Sequence, residues 1–530
     1  PVFSRKRPTY LLSVVHMALN ALLPPDAPEN PNANLLPSFE LSKDKRIVIV
    51  GGGPAGIHMS AILAAAGYKH VTLLEAENEV GGKSLTIFDP SEPDVPQEMG
   101  TCYLTPMYTL FRKVMNYYDP ENGEIEFSGD REVFGVVVPD EEKRKYTEGM
   151  SYGDWVNAVA ERICCPSWLW CCPDSCCCIT VNAAFLKYLK LHNDIFGYYS
   201  YGMPPKPKDW SKINMTASEF LKQNGIEVLE PIFIYSQQVQ GYGLLDSIPA
   251  FYLLWWNHPD VVRETLKSIF GLAPDVPGLG ILKKGFQSVW KHIKEKHSSE
   301  VNYITGARVT EIKRLPTVEV KYIREGREYM VQGDIFINAV SLYQFRHLIK
   351  DLDPEEEAIF SKLTESTITT TLYKGKAVPH EHSVEIWFGR MGYLTPSGVG
   401  QFYCHRNSRL ATDSPQVAPD GRELRVAYQY MTRPKEVGDE EKLAVALKEG
   451  LKTYAGEPEV EIVLQKVWTY MPRFQGNGLV KECPWKILSL QGQRNTFYIG
   501  SSVCFESALD QVTYNIMLGR KITGITAGKA

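Results

Sequence analysis

The sequence predicts an α/β fold with a parallel sheet at its centre, and three features of residues 45–84 predict it. Ile47 to Val50 is a short apolar run, of the kind that forms a parallel strand buried on both faces. Gly51, Gly53 and Gly56 follow with G-x-G-x-x-G spacing. The first glycine permits a tight turn, the second lets backbone approach a pyrophosphate, and the third lets the next helix pack close to the strand. A second apolar run, Val71 to Leu74, ends in Glu75, about 20 residues beyond the motif, where a carboxylate can accept hydrogen bonds from a ribose 2′-OH. Between the runs the pattern predicts a helix from about Gly56 to Ala66, with Gly67 at its left-handed C-cap. Strand, motif, helix, strand and acid occur in order, which specifies a Rossmann-like dinucleotide site. The competing reading, a glycine-rich turn that binds nothing, leaves Glu75 without a role.

The remaining composition is that of a globular enzyme. The 530 residues suggest two to four domains, 44% are hydrophobic and 22% charged. A net charge of −5 with no long basic run argues against a nucleic-acid partner.

Residues 1–42 read as an N-terminal extension and linker. Arg5, Lys6 and Arg7 precede an apolar run, Tyr10 to Leu23, which ends at Pro24-Pro25. A basic start with an apolar core has the form of a signal peptide or an anchor, but the run is too short to span a bilayer comfortably, and His16 and Asn20 interrupt it. A helix packed on the protein body and a retained interfacial helix are the two readings. Cys164 to Cys178 holds seven of the eleven cysteines, with Trp168 and Trp170 among them. Clean C-x-x-C pairs are missing, so no metal site is assigned. Adjacent cysteines bridge poorly to one another. A membrane-touching loop and a loop of simply buried thiols stand as equal readings. Residues 10–23 and 164–178 are therefore the candidate peripheral membrane contacts. Localisation stays open between membrane-associated or secretory and cytoplasmic.

Further along, the pattern predicts a helix at Tyr108 to Tyr118 and a turn at Pro120 to Gly123. Asn214-Met215-Thr216 is a glycosylation sequon, but Thr216 to Glu219 is also a capping box, and the cap is the stronger reading. Residues 231–259 are dense in aromatics: Phe233, Tyr235, Tyr242, Phe251, Tyr252, Trp255 and Trp256, with a bend at Gly241-Tyr242-Gly243. They line an apolar tunnel or fill a helical core; spacing alone does not distinguish the two. Gly285-Phe286-Gln287 precedes a helix through Ile293. Strands are expected at Val301 to Arg314, Thr317 to Ile323, Tyr329 to Val331, Asp334 to Ala339, Thr369 to Tyr373, Val384 to Phe388, Leu424 to Met431 and Asn495 to Gly500. Helices are expected at Asp439 to Tyr454 and after Ser501, through Glu506 and Asp510.

GGGPAG at 51–56, GGKS at 81–84, GYG at 241–243, WTYMPRF at 468–474 and Glu506-Ser507 together resemble the flavin-containing amine oxidase superfamily, and within it the polyenoic fatty acid isomerases. The resemblance covers about residues 45–525. It implies FAD, held by a glutathione-reductase/amine-oxidase-type domain (43–110, 275–345 and 460–530) interleaved with an α+β substrate domain (111–274 and 346–459). It assigns cofactor contacts to Gly51, Gly53, Pro54, Ala55, Gly56, Glu75, Ala76, Gly82, Lys83, Met99, Gly100, Val309, Gly500, Ser501, Gln511 and Val512. Lys83 stands where Arg is commoner, and Gly500-Ser501 where the family has Gly-Glu. The lysine that amine oxidases place near flavin N5 is missing, since the count reaches Ile368 or Thr369. The implied reaction is removal of an allylic hydride from an unsaturated fatty acid to the flavin and its return at another carbon. A cation would hold the carboxylate, with Arg390, Arg406 and Arg473 as candidates; Tyr242 and Arg473 are the candidate catalytic residues. Two other classes remain: an oxidase or desaturase of an amine or polyene, and a non-enzymatic lipid-binding relative like the GDP-dissociation inhibitors.

Overall fold

The computed structural model describes residues 17–37, 39, 41–127, 130–134, 149–151, 155, 175–269, 279–376, 382–409 and 421–525. Five parallel strands form the first sheet, in the order Thr496–Tyr498, Ile335–Asn338, Arg46–Val50, His70–Leu74, Val301–Ile304. Ile47 pairs with Ile335 on one side and Val71 on the other, and Ile47 to Val50 are all buried. Burial on both faces explains why this strand lacks polar alternation. The helix Pro54–Ala65 leaves the strand at the glycine motif, and every one of its residues is buried. The helix Ala508–Thr523 packs across it: a Cβ on Gly519 would meet Ile62 at 3.1 Å. The segment 301–314 is two strands, not one, broken at Gly306 (φ +68°). The second of them, Arg308–Lys313, opens a three-stranded antiparallel sheet with Val318–Arg324 and Arg327–Gly333.

The second large sheet has seven strands, in the order Glu461–Phe474, Leu363–Lys376, Arg422–Met431, Phe402–Arg406, His382–Trp387, Asp130–Phe134, Gly149–Ser151. The helix Asp439–Tyr454 covers it through Leu443, Leu447 and Leu451. The chain thus passes repeatedly between two sheets. Residues 461–474 pair with Leu363–Lys376 in the second sheet, although the sequence reading gave everything after 460 to the dinucleotide half. Their aromatic-rich pattern is that of a strand with one face on this sheet.

The N-terminal segment is part of the body. Residues 17–22 are helical, and Ala18, Ala21, Leu22 and Leu23 are buried. Arg520 of the last helix donates to the carbonyls of Pro24 and Ala27. The membrane reading of Tyr10 to Leu23 is therefore corrected for residues 17–23: an apolar face that packs on protein cannot also lie in lipid. Residues 10–16 and 164–174 lie outside the described residues. Among the described residues no helix is long and apolar enough to cross a membrane.

Candidate functional site

A cavity of about 1310 Å³ begins at the glycine motif and continues across the face of the seven-stranded sheet. Its dinucleotide end is walled by Gly51, Gly53, Pro54, Glu75, Ala76, Gly82, Lys83, Gly100, Ser501 and Gln511, all anticipated from the sequence. Gly53 and Gly82 meet backbone to backbone: a Cβ on Gly82, whose φ is +54°, would sit 2.9 Å from the Gly53 Cα. The Glu75 carboxylate is buried, accepts from the Gly52 N–H at 2.5 Å and the Glu77 N–H at 2.8 Å, and has its pKa raised by that burial. Bare backbone at a helix start, with an acid one strand away, is the donor set a dinucleotide needs. The residues present therefore fit a dinucleotide cofactor such as FAD.

Six anticipated cofactor residues are not in the cavity wall. Ala55 is occupied by the last helix: its N–H donates to Gln511 Oε1 at 3.1 Å and its carbonyl accepts from Asn515 Nδ2 at 2.7 Å. Gly56 is a packing residue, since a Cβ there would fall 1.9 Å from the Gly51 carbonyl oxygen. Met99 is wholly buried in a cluster with Leu372, Leu424 and Val426, while its carbonyl accepts from Thr370 and Trp468. Val309 packs among the residues of the three-stranded sheet. Val512 is core, and Gly500 supplies a positive-φ turn (+85°) ahead of Ser501.

Lys83 is tied down. Its Nζ lies 2.6 Å from Glu506 Oε1, and Glu506 Oε2 accepts from the Met471 N–H at 2.8 Å. One carboxylate thereby joins the Gly-Gly turn, the end of the long edge strand and the loop before the last helix. That helix is capped by Ser507, whose side chain accepts from the Asp510 N–H, and its positive end faces the cavity through Ser507, Ala508 and Gln511. Asp510 itself is buried beneath, accepting from Tyr201, Trp255 and Ser507, and burial pushes its pKa up to about 6.

Beyond the dinucleotide end the wall becomes apolar. Residues 231–259 divide between the two readings. Phe233, Tyr235, Tyr242 and Trp256 line the cavity, whereas Phe251, Tyr252 and Trp255 are core. The chain widens to a π-turn at Ile234–Gln238, which turns Tyr235 and Ser236 into the cavity wall. Tyr242 lies parallel to Tyr470, ring centroids 6.0 Å apart at 7°. Of the two positions the lysine count reaches, Ile368 lines the wall and Thr369 does not. In the sequence Tyr470 and Glu506 stand only within motifs, and the fold brings them to Tyr242 and Lys83.

The three candidate arginines separate. Arg473 is buried, donates to Ser366 Oγ at 2.7 Å and to the Met471 carbonyl, and is not in the wall, so the structure does not support it as a catalytic group. Arg390 stacks on Tyr454, its guanidinium carbon 3.4 Å from the ring centroid, away from the wall. Arg406 is 2% exposed and lines the cavity beside Cys102, Tyr103, Cys404 and Tyr428. Its Nη2 donates to the Glu98 carbonyl at 2.9 Å, and its Nε is buried with no partner.

Comparison with known proteins agrees with this architecture. Residues 49–119 match the family model described as an NAD(P)-binding Rossmann-like domain. The chain is 22% identical over 505 residues, 88% of its own length and 92% of the relative's, to polyenoic fatty acid isomerase of Ptilota filicina. The crystal structure of a CLA-producing fatty acid isomerase from P. acnes superposes with a TM-score of 0.66 at 21% identity, covering 90% of this chain and 99% of that one. A putrescine oxidase triple mutant gives 0.59 at 15% identity, covering 91% and 98%. The resemblance read from the motifs is thus matched along nearly the whole chain, and the likeness to the solved structures shows a shared fold.

Proposed function

We propose that this chain is an FAD-dependent isomerase that moves double bonds in an unsaturated fatty acid or a similar lipid without net oxidation. The observation that carries the reading is the continuity of the cavity: a dinucleotide cradle opens directly into an apolar, aromatic-lined chamber. The long relative is a fatty acid isomerase, and so is the bacterial protein of similar fold. FAD, when bound, supplies a hydride acceptor and donor. The chain's own residues hold and shield. The Gly51–Gly53 backbone and Glu75 take the pyrophosphate and ribose, and the Ser507 helix end favours negative charge on the ring. Tyr242, Tyr470, Trp256 and Ile368 keep the chamber dry and hold an alkenyl chain against the ring. Ile368 and Thr369 stand where the amine oxidase lysine is expected, which weakens the amine oxidase alternative.

The test is an absorption spectrum of the pure protein, repeated under air after adding a polyunsaturated fatty acid while peroxide is followed. A flavin spectrum with a growing conjugated-diene or triene band and no peroxide is expected. Peroxide produced in step with substrate loss replaces the reading with an oxidase. A colourless protein that still binds the fatty acid replaces it with a lipid-binding relative.

A further inference from the structure

Four cationic side chains among the described residues line the cavity, and three are matched by carboxylates. Lys83 pairs with Glu506 at 2.6 Å, Lys466 with Glu77 at 3.7 Å and Lys435 with Glu440 at 3.8 Å. Arg406 is the exception. Among the described residues no carboxylate lies within ion-pair distance of it, and its neutral contacts include the Glu98 carbonyl, the Cys102 thiol and the Tyr103 ring, 5.7 Å from the guanidinium carbon. The Glu98 side chain turns elsewhere: Oε1 accepts from the Phe286 N–H and Oε2 from the Thr86 hydroxyl, both at 2.8 Å. An arginine stays protonated at any working pH, so this one carries a buried charge with an unused N–H. A buried cation with no ion pair at contact distance, felt by the Glu98 carboxylate only from farther away, is costly, and such a group in a cavity wall is a binding site for an anion.

We propose that Arg406 holds the carboxylate of the substrate, and that the protein therefore selects ionised free acids over their esters. This rests on the lipid reading of the same chamber and adds the group that reads the head of the molecule. The strand explains the placement. Beyond an irregularity at Phe402/Cys404 the strand Phe402–Arg406 alternates, so Cys404 and Arg406 face the cavity while His405 faces the opposite side, toward Glu385. Thiols, tyrosine rings and an apolar floor around the guanidinium leave an incoming carboxylate little water to compete with.

The experiment measures binding, with the fluorescence of a conjugated tetraene fatty acid, of its methyl ester and of the amine with the same chain, on the flavin-loaded protein. Wild type is expected to bind the acid about 10- to 100-fold more tightly than the ester, the yield of one charged hydrogen-bonded contact, and the amine more weakly than either. Arg406→Met is expected to bind acid and ester alike at the ester's affinity, and Arg406→Lys to recover part of the preference. A purely structural role predicts weakened binding of all three ligands with the acid-to-ester ratio unchanged, and that result overturns the proposal. If Arg406→Met does not fold, the wild-type series and Arg406→Lys decide: equal affinity of wild type for acid and ester overturns it. Wild type that binds none of the three ligands refutes the lipid reading itself, a different outcome from binding all three without preference.

Discussion

Gly241 has a φ of +80° and sits against the chamber: a Cβ built there falls 2.8 Å from Ile368 Cδ1 and 3.0 Å from Tyr470 Cε1. Gly243, two residues on, has a φ of +104°, and its Cβ would fall 2.6 Å from Ile248 Cδ1 in the core behind. The two positions share a backbone problem and differ in what lies beyond it. Alanine at either costs about 1–2 kcal/mol for the left-handed conformation and about 1–3 kcal/mol for overpacking, so both variants should lose roughly 2–5 kcal/mol of stability. Only Gly241→Ala displaces the Tyr470 ring, by roughly half an ångström if ordinary contact is restored, and with it the pair Tyr470 forms with Tyr242. Small misplacements of positioning groups can cost large factors in rate, so kcat/KM for double-bond migration should fall about 10- to 100-fold in Gly241→Ala. Gly243→Ala should stay within about threefold of wild type, since the chamber wall does not move. Flavin content, read as the ratio of visible to ultraviolet absorbance, should be unchanged in both. Equal loss of turnover in the two variants would refute the argument, because it would reduce Gly241 to a stability position.

Gly56→Ala should yield colourless protein, since its Cβ meets the Gly51 carbonyl at 1.9 Å and forces the pyrophosphate turn to move; full flavin content in the purified variant would contradict this. Asp510 carries a folded-state pKa of about 6, above its ordinary value of 3.8, so the folded protein holds that proton more tightly. Its contribution is fully present below pH 3.8 and is lost as pH rises through about 6, amounting to about 3 kcal/mol at most. Melting curves between pH 4.5 and 7 should therefore fall more steeply with pH for wild type than for Asp510→Asn, and parallel slopes would dismiss the assignment. Leu22→Asp should lower Tm by several degrees, because the side chain is wholly buried and a carboxylate there has no partner; a variant with unchanged Tm and a reduced membrane fraction would restore the anchor reading.

The dinucleotide half was legible because its constraints are local. Ile47–Val50, the three glycines, Gly67 and Glu75 lie within one short βαβ unit, and each residue type answers to a single geometric demand. The capping box at Thr216–Glu219 and the helix Asp439–Tyr454 were legible for the same reason. Glu506 was not, because its partners Lys83 and Met471 are distant in sequence and no spacing rule links them. The aromatic stretch 231–259 concealed a division: Trp255 bonds to Asp510 and belongs to the core, while Trp256, its neighbour, faces the cavity. Helical neighbours point about 100° apart, so composition describes the segment but not which residues meet the ligand. Ala55 shows the same limit in a motif, since its backbone belongs to the last helix instead of the ligand.

The strand order of the first sheet bears on how the protein is made. The pyrophosphate turn emerges from the ribosome as residues 51–56, yet the strand beside it, Ile335–Asn338, the strand beyond that, Thr496–Tyr498, and the helix that grips Ala55 emerge far later. At roughly 5–20 residues per second, the wait between residue 56 and residue 511 is about 20–90 s. The apolar strand Arg46–Val50 has one flank unpaired until residues 335–338 emerge, and for the whole interval the helix Pro54–Ala65 lacks the helix that covers it. A nascent chain in that state needs shelter from its neighbours, and a product released before residue 511 has no finished cradle. Yellow colour in a preparation is thus a report on the C-terminal end of the chain as much as on the glycines near its start.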